Sequence, residues 1–138
     1  GAVHPDKTVA SGQITLDYEA AVVQVGLGYK HKGKLLKFEG GNPAGTAVGK
    51  KKRVYKITFN LLNCHTLNYG PSAAKLQSVD FREVGDAMDA AAPLFPGERT
   101  VDFEGEMATD PRVYFESDAP APFMMLAIEP DIQLNPSV

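Results

Sequence analysis

A chain of 138 residues has room for one domain and buries about two-thirds of the surface its unfolded form exposes, so it needs neither disulfide nor metal to fold. Its single cysteine, Cys64, excludes an internal disulfide and a cysteine-built zinc site. A formal net charge of −3 argues against a dedicated nucleic-acid binder, which carries a basic face, and no apolar run is long enough to span a bilayer.

Ten prolines and thirteen glycines cut the chain into short segments rich in β-branched and aromatic residues, which predicts many short strands joined by turns. The first six residues have neither the basic nor the apolar region of a signal peptide and are expected to be a tail. In residues 13–17, Ile14 and Leu16 share one side. Residues 21–29 alternate as well. Val23, Val25 and Leu27 share a face, with Gly26 and Gly28 opposite, where a bulge or close backbone approach is expected. Residues 35–38 suit a short strand, and the glycine-rich residues 39–52 a mobile loop. Residues 53–63 are the most regular. Tyr55, Ile57, Phe59 and Leu61 form an apolar row opposed by Lys56, Thr58 and Asn60, which predicts a strand with one face on the core. Residues 75–82, 99–103 and 111–116 are shorter strand candidates. Residues 84–92 allow a single helical turn or an irregular loop, stopped by Pro93. Residues 123–128 are nearly continuously apolar, a pattern shared by a strand buried on both faces and a buried helix, and Pro120, Pro122 and Pro130 bracket it closely and favour the strand. Together these elements predict one all-β domain over residues 1–138. It is expected to be an antiparallel β-sandwich or open barrel of about seven or more strands, with at most one short helical turn.

Motifs that carry chemistry are sparse. His4, His31 and His65 show no paired metal spacing. Cys64 and His65 are adjacent on a strand and point to opposite faces, so a packed thiol and a surface imidazole are expected rather than a catalytic pair. Asp86 and Asp89 suit turn or cap roles better than an acid–base pair, which needs a cleft between them. Ser11 and Ser72 lack a nucleophile elbow, and Gly49-Lys50 runs into a strand rather than opening a helix, so it is no phosphate loop. No catalytic residue, cofactor site or metal site is predicted.

Two segments are candidates for subunit contact. Lys50, Lys51, Lys52 and Arg53 form the one basic cluster. It could meet an acidic neighbour, or it is a solvated strand end that discourages edge-to-edge pairing. Pro93, Leu94, Phe95 and Pro96 form an apolar loop fixed by two prolines, suited to hook a neighbour or to cap its own core. The five tyrosines read mainly as strand formers and packing residues, with a sugar-stacking platform as the lesser alternative.

Five stretches in order give a family resemblance. They are Asp6 to Asp17; Val25-Gly-Leu-Gly-Tyr29; Gly49-Lys-Lys-Lys-Arg-Val54; Asp86-Ala-Met-Asp89 with Pro93-Leu-Phe-Pro-Gly97; and Pro120 to Ile128. In that order and spacing the chain resembles the C-terminal region of the tail nozzle protein of short-tailed phages, also called tail tubular protein B or packaged-DNA stabilisation protein. It departs at Gly28, where the family has proline, and at Glu116-Ser-Asp118, where the family has a Gln-rich entry to the last strand. The resemblance implies a non-enzymatic structural domain of a larger virion protein. Its partners would be other tail subunits in a homo-oligomeric, hexameric ring, part of a DNA-ejection conduit made in the host cytoplasm. It implies no specific nucleic-acid recognition, membrane contact or cofactor. The alternative expectation is a receptor- or carbohydrate-binding β-sandwich module, recognised by exposed tyrosines gathered in one groove.

Overall fold

The computed structural model describes residues 3–42, 45–87 and 92–135. These contain nine strands and no helix, so the all-β expectation holds. Two antiparallel sheets face one another in a sandwich-like arrangement, and neither closes into a barrel.

The first sheet has the order β1 (His31–Lys34), β8 (Tyr114–Ser117), β5 (Asn68–Ser72), β6 (Lys75–Ser78). The second sets β7 (Phe95–Asp102) and β9 (Met124–Leu134) on either side of β4 (Lys52–Cys64). Two short strands, β2 (Gly41–Asn42) and β3 (Gly45–Thr46), pair within the segment expected to be a loop.

The core lies between the sheets. Val54, Ile57, Phe59, Leu61 and Cys64 of β4 meet Leu67 and Tyr69 from the facing sheet, with Val79, Phe81, Phe103 and Val113 closing the sides. The rings of Phe59 and Tyr69 meet edge to face at 5.7 Å, a favoured aromatic geometry. The Tyr69 hydroxyl then donates to the Asp102 carbonyl at 3.0 Å, tying β5 to the end of β7. Burial pushes the Tyr69 phenol above its usual range, with the charges of Asp102 and Glu104 acting in the same direction.

Strand β4 corrects the expected apolar row. Tyr55 is exposed, and Val54 is buried in its place. The register against β9 slips between Val54 and Lys56, so Tyr55 is an extra residue there. A one-residue bulge exchanges the two faces of a strand. A second slip, against β7 between Leu61 and Cys64, turns Cys64 inward and sets Asn63 at φ 53°.

Strand β9 is longer than residues 123–128 and is not buried on both faces. Met124 and Leu126 are exposed, while Met125, Ile128 and Ile132 pack on the core. Strand β9 is an edge with an outer face open to solvent, and hydrophobicity alone does not distinguish that from a central position. Residues 13–17 and 21–29 are not strands, and only an isolated Ala10–Gln13 bridge precedes β1. Residues 35–38 follow β1 and pack on the core through Leu35 and Phe38 without forming a strand. Of residues 84–92, the described part is a turn at Val84 and Gly85. Residues 88–91 lie outside the described residues.

Candidate functional site

The basic cluster does not stay together. Strand alternation sends Lys51 and Arg53 outward and Lys52 inward, where it is 0% exposed. The Lys52 Nζ donates to the Ala47 carbonyl at 3.1 Å, and the Lys52 backbone exchanges hydrogen bonds of 2.8 and 3.0 Å with Ala108. Lys52 is therefore an interior residue of this domain and is not presented to a neighbour. Lys50 is half-buried beside it, which leaves Lys51 and Arg53 as the solvent-facing members.

The apolar hook also divides. Phe95 and Pro96 are the first residues of β7 rather than loop, and Phe95 pairs with Cys64. The Phe95 ring lies 5.3 Å from that of Phe81, and the Arg99 guanidinium sits 5.7 Å above it, so Phe95 caps its own core. Pro93, Leu94 and Pro96 face solvent.

Cys64 is fully buried, and its thiol donates to the Thr66 carbonyl at 3.4 Å. Burial raises the thiol to about 11, which keeps it protonated and a weak nucleophile at neutral pH. His65 is half-buried rather than at the surface, and its Nδ1 has no hydrogen-bond partner among the described residues. Asp86 takes the turn role expected for it. Its carboxylate accepts from the Glu83 amide at 2.8 Å, and its own amide donates to the Glu83 carbonyl at 3.1 Å. Asp89 lies outside the described residues.

A groove of about 930 Å³ opens between the turn joining β5 to β6 and the segment before β8. Arg53, Lys75 and Arg112 line it together with Glu104, Glu106 and Asp110, a wall of mixed charge. Arg112 donates to Asp110 at 2.7 Å and to the Leu35 carbonyl at 3.3 Å, which fixes its position. Tyr69 and Tyr114 reach the groove, but Tyr69 is buried, and Lys34 sits 5.2 Å over the Tyr114 ring. The exposed Tyr18, Tyr29 and Tyr55 are elsewhere. Among the described residues no helix is long and apolar enough to cross a membrane.

An apolar surface run lies where residues 21–29 alternate in the sequence. Tyr18, Val22, Val23, Val25, Leu27 and Tyr29 are all exposed, in a run that joins no sheet. A smaller apolar patch lies on the outer face of the second sheet, formed by Leu62, Met124 and Leu126, with Leu62 paired to Met124. Apolar surface of this kind marks interaction sites on folded proteins. A scan against protein-family models and a search of the curated proteins found no match to the chain.

Proposed function

We propose that this chain is a non-enzymatic assembly domain, a piece of the tail nozzle of a short-tailed phage, whose work is contact with other tail subunits around the DNA-ejection conduit. The observation that carries the assembly part is the apolar surface of residues 18–30, on a rigid two-sheet scaffold. The tail part rests on the five ordered stretches described above. Lys51, Arg53, Pro93, Leu94 and Pro96 remain solvent-facing and available to a neighbour. Antibodies raised against the chain and applied to particles from the host that carries its gene are expected to mark the tail in electron micrographs. Particles that carry no label would contradict the tail assignment.

A second reading has one observation in its favour. The groove beside Tyr114 is large enough for a sugar and lined with hydrogen-bonding groups, which suits a carbohydrate-binding module. A glycan array separates the two. Binding that is lost in Tyr114→Ala supports the module, and an array with no signal removes it.

A further inference from the structure

We propose that copies of this chain stack head to tail, the outer face of the first sheet of one copy seated on the outer face of the second sheet of the next. This names a contact within the assembly reading and rests on it only in taking the partner to be another subunit.

The two outer faces carry opposite charge, beginning with lysines on the first sheet. Gly33 of β1 lies on the core side, since a Cβ there would meet the Phe115 ring, which packs on the core. Strand alternation therefore sends Lys32 and Lys34 outward, where both are exposed, and Lys30 continues the same row. Glu116 opposes Lys32 in register but bonds Lys30 at 3.0 Å, and Asp118 follows the end of β8. Lys32 and Lys34 make no ion pair among the described residues.

The second sheet answers with carboxylates. Its flanking strands turn Glu98, Thr100 and Asp102 of β7 and Glu129 and Asp131 of β9 outward, all exposed. Between them β4 presents Lys56, Thr58 and Asn60, with Lys56 opposite both Asp102 and Asp131. Glu98, Asp102, Glu129 and Asp131 thus surround one ammonium, with Arg53 toward the end of the face. None of these carboxylates makes an ion pair among the described residues. Like charges gathered without counter-charge repel, and an opposite face laid on them relieves that.

Charge selects both the partner and the mode. The core lies between the sheets, so the two outer faces point in opposite directions and every copy brings one of each. First sheet on first sheet sets lysine against lysine, and second on second sets carboxylate against carboxylate. The mixed contact alone pairs opposite charges. The spacing agrees, because Lys32 and Lys34 stand two residues apart on an unbroken strand, as do Glu129 and Asp131, a repeat of about 6.4–6.8 Å. Apolar side chains share both faces, with Leu76 and Tyr114 beside the lysines and Leu62, Met124 and Leu126 on the second sheet. The contact is heterologous, so each copy leaves one face free for the next, and repetition closes a ring or extends a filament. Lys30, the last residue of the exposed apolar run, lies in it.

The test uses the full chain. Sedimentation equilibrium at low salt is expected to show association that weakens about tenfold or more in about 1 M salt, where screening acts within about 3 Å. Two charge reversals, Lys32→Glu with Lys34→Glu and Glu129→Lys with Asp131→Lys, are each expected to weaken association by about a hundredfold or more, with unchanged circular dichroism spectra. An equimolar mixture of the two variants is expected to associate again, since one then has two acidic faces and the other two basic ones. A parent chain that stays monomeric overturns the proposal, while the tail labelling described above decides the assembly reading separately. An oligomer indifferent to both reversals, or reversals that the mixture does not rescue, overturn the stack and leave Lys32 and Lys34 as guards of the β1 edge.

Discussion

Lys52 carries its ammonium into the interior, where it donates to the Ala47 carbonyl, and its four-carbon stem fills space beside Val54. Truncation by Lys52→Ala removes the stem as well as the bond to the Ala47 carbonyl, which keeps the Lys50 amide as a second donor at 3.3 Å, so the loss is that of an emptied core position, about 2–5 kcal/mol. Lys52→Met keeps the stem and is expected to cost less than about 1.5 kcal/mol. Urea midpoints at constant m-value measure both, and equal losses would mean that the charge, not the stem, is what matters. Cys64 gives a pH signature. Its thiol titrates near 8.5 in an unfolded chain, but burial holds it to about 11 in the fold. Between those values the unfolded state binds fewer protons than the native one, so stability contributed by the neutral thiol is complete below that window and lost as pH rises through it. Cys64→Val is expected to show a shallower fall in urea midpoint from pH 8 to pH 10.5 than the parent chain. Parallel slopes would contradict the assignment.

At the scale of elements, β4 organises the molecule, and its two slips decide which side chains reach the core. Asn63 holds its φ of 53° at the second slip, a conformation asparagine tolerates and β-branched residues resist. Asn63→Val is therefore expected to destabilise by about 1–3 kcal/mol, and Asn63→Gly to be nearly neutral. In β5, a Cβ at Gly70 would lie 1.8 Å from the Lys75 carbonyl oxygen, so Gly70→Ala is expected to cost about 1–3 kcal/mol or more by forcing β5 from β6. Thermal melts of these variants check both statements. The central strand was legible in the sequence because Ile57, Phe59 and Leu61 repeat every second residue. The inversion at Tyr55 was not, because a bulge leaves composition unchanged and moves only the phase. Lys52 and Val54 share that shifted phase, but a lysine at an apolar position gives no sequence signal of burial. Strand β9 was found but placed wrongly, since its apolar side chains are the same whether they face a core or solvent. The turn role of Asp86 was readable from local chemistry; the groove at Tyr114, assembled from distant segments, was not.

For the molecule as a whole, the two sheets make the body, and the run of residues 18–30 joins neither of them. Its alternation was plain in sequence, but periodicity reports that a strand should form and not where its partner lies. The assembly reading turns on those thirteen residues, so amide hydrogen exchange across them, followed over a range of protein concentration, is the most direct test. The account predicts fast exchange in residues 18–30 when the chain is dilute and strong protection when it is concentrated, with β4 amides protected at both. Exchange in that run that is independent of concentration, whether fast or slow, would contradict it.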